Sequence, residues 1–315
     1  MAVAFVFPGQ GSQAVGMGKE LAAAYPAARA VFEEVDAALG QKLSDLMFNG
    51  PMDQLTLTEN AQPALMAVSI AVVRVLEREK GIALADKVKL VAGHSLSEYS
   101  ALAAAGAFTL SDTARLLKLR GQAMQKAVPV GQGAMAALLG VGLDVARKVA
   151  EEAAQGECCD IANDNEPTQV VLSGHKTAID RVAEIGKKHG VRRALPLPVS
   201  APFHCALMKP AADAMAEALA RTDIKAPVVP VVANVLAVPI SDPAEIRRRL
   251  VEQVTGTVRW RECMMAMAAA GITDVYEVGS GKVLAGLAKR IAKDINATSV
   301  GTPAEIDAAA AALAG

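Results

Sequence analysis

Apolar positions along the chain alternate between short continuous runs and longer stretches of helical spacing. The runs Ala2–Phe7, Val88–Ala92, Met135–Val141, Val191–Leu197, Val228–Ala233 and Thr273–Val278 have the length of buried strands. Helical patterns lie between them: Val15–Leu39, Gln62–Lys80, Glu98–Ala105, a stretch from an N-cap at Ser111-Asp112 to about Ala127, Leu143–Ala154, Lys176–His189, and a last helix from Lys282. Pro129, Gly131 and Gly133 interrupt the pattern and mark a boundary. From Met135 the order is strand, helix, two strands around Asn163–Thr168, helix, strand. This βαββαβ order is that of a ferredoxin-like unit. Before and after it the chain alternates α and β. The pattern therefore predicts an α/β protein with a discontinuous large domain, 1–127 and 198–315, interrupted by a small ferredoxin-like domain, 128–197. The Ala-rich tail Ala308–Ala314 reads as a fraying terminus.

Composition narrows the classes. Of 315 residues, 52% are hydrophobic and 21% charged, enough apolar material for a substantial core and too much for disorder. Thirty-two Lys and Arg against 33 Asp and Glu give a formal charge of −1, which argues against bulk nucleic-acid binding. Aromatic residues at 3%, with Trp260 the one tryptophan, provide no stacking platform for bases. No apolar stretch reaches the length of a membrane span, and the N-terminus lacks the basic segment and apolar run of a signal peptide. Cys158, Cys159, Cys205 and Cys263 show no CxxC spacing and suggest neither a zinc site nor a disulfide framework. The expectation is a reducing cytoplasm.

Chemistry concentrates in a few places. Gly93-His94-Ser95-Leu96-Ser97 stands between a predicted strand and a predicted helix, the setting of a nucleophile elbow. There the turn exposes the Ser95 hydroxyl and the helix start offers the Leu96 N–H to an oxyanion. A plain strand-to-helix turn with Ser95 as helix cap is the alternative. A serine nucleophile needs a base, and the chain has four histidines. His94 adjoins Ser95, so its ring points elsewhere, and His175 and His189 bracket an exposed-looking helix. Elimination favours His204, against the common fate of a lone histidine packed in a core. No carboxylate lies near it in sequence, so a backbone carbonyl could equally orient its ring. Arg120 has Leu116, Leu117, Ala123 and Met124 as helical neighbours, which half-buries a guanidinium suited to a carboxylate ligand. A snorkelling or distantly paired arginine fits the same pattern. Gly9-Gln10-Gly11-Ser12-Gln13-Ala14 matches a dinucleotide fingerprint, weakened by Pro8 and by the lack of a second strand ending in an acid. A loop whose Gln10 N–H serves as a second oxyanion donor is preferred. Gly279-Ser280-Gly281-Lys282 reads as a strand-to-helix turn rather than a phosphate loop.

Phe7 to Gln13, Gly93-His94-Ser95-Leu96, Leu119-Arg120-Gly121, Pro198-Val199-Ser200 leading to His204, and Glu277-Val278-Gly279 occur in an order and spacing that resemble malonyl-CoA:acyl carrier protein transacylases of type II fatty acid synthesis. The resemblance covers nearly the whole chain and implies an α/β-hydrolase-like domain with a ferredoxin-like insert. It implies Ser95 as the acylated nucleophile, His204 as base, the Gln253 carbonyl orienting His204, and Arg120 on the malonyl carboxylate. It also implies Gln10 and Leu96 as oxyanion donors, and Asn165 as a small-domain residue lining the site. Phe203, bulky beside the base, should disfavour an α-methyl branch. The chain departs from the family pattern in two places: Ser97 stands for the usual Gly, and Gly256-Thr257 replaces an Asn-Pro-like pair after Gln253. The expected partners are malonyl-CoA and an acyl carrier protein, with no cofactor, no metal, no nucleic acid and no membrane, in a monomer. Such carriers are acidic, which makes Lys126, Arg192, Arg193 and Arg247-Arg248-Arg249 candidate docking residues. A polyketide-type extender acyltransferase, a serine thioesterase or hydrolase, a nucleotide-dependent oxidoreductase and a non-catalytic carrier-binding module are the alternatives.

Overall fold

The computed structural model describes residues 1–315. Ten strands occur in chain order: β1 Val3–Phe7, β2 Val88–Gly93, β3 Gly133–Leu139, β4 Cys159–Glu166, β5 Gln169–His175, β6 Arg193–Pro196, β7 Val231–Val232, β8 Pro239–Ile240, β9 Asp274–Val278 and β10 Asn296–Val300. They form a six-stranded sheet in the order β10-β9-β1-β2-β7-β8 and a four-stranded sheet in the order β4-β5-β3-β6. In the larger sheet all neighbours run parallel except β7 and β8. The smaller sheet is wholly antiparallel.

Period-two alternation explains why the larger sheet is apolar throughout. Along β1, Val3, Phe5 and Phe7 face one core while Ala4 and Val6 face another, so no residue of the strand meets solvent. The long helices Thr58–Arg78 and Leu110–Ala127 cover the first face, and Trp260–Ala269 with Val283–Ile291 cover the second. In the smaller sheet Ala136 and Leu138 pack on helices Leu143–Ala154 and Lys176–Lys188, whereas Met135 and Ala137 turn toward the larger unit. Backbone bonds join the smaller sheet to the segment of the larger unit before Trp260: Asp164 N donates to Val258 O at 3.0 Å, and Val258 N to Ala162 O at 2.9 Å.

Several predicted boundaries move for local reasons. The pattern Val15–Leu39 divides at Pro26, which opens the helix Pro26–Leu39, where its missing N–H costs nothing. The helix through Arg120 begins earlier than Ser111-Asp112 implied, capped by the Thr109 hydroxyl, which accepts from Asp112 N at 3.1 Å. The run Val228–Ala233 pairs only over Val231–Val232. The tail is not frayed: Pro303–Ala314 is a helix with a capping box between Thr302 and Glu305, and Ile306, Ala309 and Leu313 are buried. No helix is long and apolar enough to cross a membrane.

Candidate active site

Parallel pairing of β1 with β2 brings their C-terminal ends out on one edge, with Phe7 opposite Gly93. The Gly9–Gly11 loop and the Gly93–Ser97 turn thus become neighbours, at the sheet edge where open parallel sheets bind ligands. Ser95 sits at φ +55°, a left-handed conformation that throws its side chain outward. Such a tight turn requires Gly93, because a Cβ there would lie 1.7 Å from Ser97 O. Ser97, the departure from the expected Gly, is fully buried and donates from Oγ to the Pro8 carbonyl at 2.6 Å. The hydroxyl ties the elbow to the neighbouring loop instead of disturbing it.

Ser95 Oγ lies 2.7 Å from His204 Nε2. On its other nitrogen His204 faces two carbonyl oxygens, Gln253 at 2.9 Å and Gly256 at 3.1 Å. Carbonyls only accept, so the ring proton resides on Nδ1 and Nε2 is left free to accept from Ser95. The Gly256 that interrupts the family pattern contributes one of these acceptors. His204 is buried at φ +58°, and burial, reinforced by the Arg120 charge, pushes its pKa down to about 3.

Arg120 is more deeply placed than its helical neighbours suggested: it is 1% exposed. Its helix can approach Thr58–Arg78 because Gly121 follows it; a Cβ there would lie 2.4 Å from Glu59 Cα. Nη1 donates to Gln62 Oε1 at 2.8 Å, and Nη2 to Gln253 Oε1 at 2.9 Å and Ser95 Oγ at 3.2 Å. The buried Nε has no partner, and no carboxylate bonds to the guanidinium. The Tyr99 ring lies 5.9 Å from its central carbon.

Three buried groups escaped the sequence reading. Asn234, just past β7, accepts from Ser95 N at 2.8 Å and donates to Gly93 O at 2.8 Å, bracing both sides of the elbow. The Gln253 side chain donates to Ser95 O and to Glu98 Oε2, each at 2.9 Å, in addition to bonding Arg120. Glu98 also accepts from Asn234 N at 3.0 Å, and burial raises its pKa to about 7. A charge placed immediately before the mostly apolar run Tyr99–Ala105 could have flagged Glu98. Nothing in sequence connects Asn234 to the elbow, because the link is made across the sheet.

A cavity of about 440 Å³ opens over these groups. Gln10, Ser95, Leu96, Arg120, Phe203 and His204 all line it, as do Gln62, His94 and Met124. The amides of Gln10 and Leu96 donate to no group of the protein. From the smaller sheet Asn163, not Asn165, lines the cavity. Asn165 sits behind, its Oδ1 2.9 Å from His94 Nε2, because irregularities in the β4–β5 register shift the side-chain alternation there. His94 itself lines the cavity with its ring 5.5 Å from that of Trp260, and makes no bond to Ser95. The basic run is occupied: Arg247 bonds the carbonyls of Leu219 and Thr222, while Arg248 and Arg249 pair with Glu245 and, for Arg249, Glu252. Lys126, Arg192 and Arg193 are exposed.

Comparison with known proteins gives consistent matches. The family described as the acyl transferase domain matches residues 4–303. A malonyl CoA-acyl carrier protein transacylase of Escherichia coli is 48% identical over 306 residues, 97% of this chain and 98% of that protein. The crystal structure of an acyl-carrier-protein-S-malonyltransferase from Bartonella henselae is 56% identical, covers all of both chains and superposes with a TM-score of 0.97. A malonyl-transacylase solved in complex with its type II polyketide acyl-carrier protein is 42% identical, with 99% of this chain and 100% of that one covered and a TM-score of 0.96.

Proposed function

The chain belongs to the acyl transferase domain family, and from that membership and the site geometry we propose that it transfers a malonyl group from malonyl-CoA to the phosphopantetheine thiol of an acyl carrier protein. The transfer passes through an ester on Ser95 and supplies extender units for fatty acid synthesis. In this reading residues 1–127 and 198–315 form an α/β-hydrolase-like domain and 128–197 a ferredoxin-like insert; the strand order β4-β5-β3-β6 supports the latter.

The observation that carries the reading is the run of contacts from Gln253 O through His204 to Ser95 Oγ, with Arg120 on the same oxygen. His204 takes the Ser95 proton as Oγ attacks the thioester carbonyl. The oxyanion is held by the N–H groups of Gln10 and Leu96, each of which can contribute about 10²-fold or more. Collapse of the tetrahedral species expels coenzyme A as its thiol, protonated by His204. The malonyl ester then rests with its carboxylate on Arg120, whose free Nε and charge suit it. The carrier thiol, deprotonated by His204, attacks the ester and regenerates Ser95. Phe203 borders the cavity beside the base and disfavours a methyl branch at the malonyl α-carbon. No cofactor is required, since coenzyme A and phosphopantetheine arrive with the substrates.

Intact mass after incubation with malonyl-CoA tests the reading. A single malonyl adduct is expected on the wild type and none on Ser95→Ala. No adduct on the wild type, or one that persists in the variant, overturns it.

A further inference from the structure

Cys158, Asp160 and Cys205 are separated by up to 47 positions in the chain yet converge beside the site. One ligand atom from each, two sulfurs and a carboxylate oxygen, lies within 4.8 Å of the others. Around a tetrahedral zinc ion with ordinary Zn–S and Zn–O lengths, such atoms stand about 3.3–3.8 Å apart, so small side-chain movements would close the set. The protons now on the thiols make internal bonds: Cys158 Sγ donates to Asp160 Oδ2 at 3.3 Å, and Cys205 Sγ to Pro202 O at 3.1 Å. Ser173, directly opposite Asp160 on β5, is fully buried with a hydroxyl that has no partner and shares the face of Asp160. It could donate to a metal-bound thiolate. Cys158 is half-buried, which leaves an approach for the ion and room for a water as fourth ligand.

We propose that Cys158, Asp160 and Cys205 form a binding site for a soft divalent cation of the zinc class, positioned to act on the loop that carries His204. Two thiolates select such an ion over magnesium or calcium. Binding exchanges the ion for the two thiol protons, which are released to solvent. Cys205 directly follows His204, and Asp160 Oδ2 already accepts from Ala206 N at 2.8 Å. An ion drawing Cys205 toward β4 therefore pulls on the chain immediately after a residue held at φ +58°. The bond between His204 and Ser95 is the contact most exposed to that pull, so occupancy should slow acyl loading.

The test uses Zn²⁺ and Cd²⁺ with the full chain kept reduced. Native mass spectrometry should show one Zn²⁺ bound per chain, and Cd²⁺ should produce the ultraviolet charge-transfer band of a cadmium thiolate. Cys158→Ala should lose the band and bind Zn²⁺ at least about tenfold more weakly, as should Asp160→Asn, which keeps an acceptor for the Ala206 amide. Zn²⁺ should slow malonyl loading of the wild type, whereas Cys158→Ala should load normally with or without it. Failure of the wild type to bind either ion overturns the proposal. So does equal affinity in the variants, or inhibition that persists in Cys158→Ala and so marks a metal bound at His204 and His94 instead. The binding readouts are independent of the transfer reaction, so an enzyme that binds the ion but accepts no malonyl group would count against the proposed function alone.

Discussion

At the scale of single residues, the site places one cation and one neutral base within bonding distance of the same hydroxyl, and burial favours the neutral form of the base. Arg120 has no bonded carboxylate, so removing its charge leaves Gln62 and Gln253 in place while abolishing the attraction for a substrate carboxylate. Arg120→Ala should lower malonyl loading by about 10²-fold or more while raising acetyl loading, because an uncharged acyl chain no longer leaves a buried guanidinium unpaired. Parallel single-turnover assays with the two thioesters check this; equal losses on both would remove Arg120 from carboxylate recognition. His204 makes a prediction about pH. Its folded pKa, about 3, lies below the ordinary imidazole value, so folding favours the neutral ring. The associated stability is complete above about pH 6.5 and is lost as pH falls toward 3. The kcat/KM of malonyl loading should accordingly show no fall with a midpoint near 6.5; a titration there would mean that the free enzyme's base is solvated.

At the scale of elements, the elbow is held by groups from four parts of the chain. Gly93 lets it turn, Ser97 fastens it to Pro8, Asn234 binds it from just past β7, and Gln253 reaches it from the helix Pro243–Thr255. Ser97→Ala leaves the Pro8 carbonyl without that donor and should cost about 1–3 kcal/mol in urea denaturation. Ser97→Gly should cost at least as much, since it adds backbone freedom at the first turn of a helix. A glycine variant as stable as the wild type would show that the hydroxyl contributes nothing. The element pattern was legible where periodicity was strong: Leu143–Ala154 has the bounds its spacing predicts. It was illegible for β10, Asn-Ala-Thr-Ser-Val, because an edge strand with alternate residues exposed carries little apolar signal.

At the scale of the whole molecule, the smaller sheet is fastened to the larger unit by ion pairs as well as by backbone. Asp164, 1% exposed at its side chain, pairs with Arg261 at 2.8 Å, and Glu166 with Arg290 at 2.7 Å. Arg261→Ala strands a buried carboxylate and should destabilise the fold by about 1–3 kcal/mol, with faster amide exchange in β4 than in β1. Uniform acceleration across both sheets would show that the pair is not a local fastening. By itself the sequence determined the alternation of strands and helices, the βαββαβ order, and the short list containing Ser95, His204 and Arg120, because periodicity, glycine placement and a scarcity of histidines are local or countable properties. Only the tertiary structure decided which carbonyls face His204, that Asn163 rather than Asn165 reaches the cavity, that Glu98, Asn234 and Gln253 form one buried network, and that Cys158 meets Cys205. Those relations join residues tens to more than a hundred positions apart. They depend on strand register and loop path, which are set by the packing of the whole chain and leave no trace in local spacing.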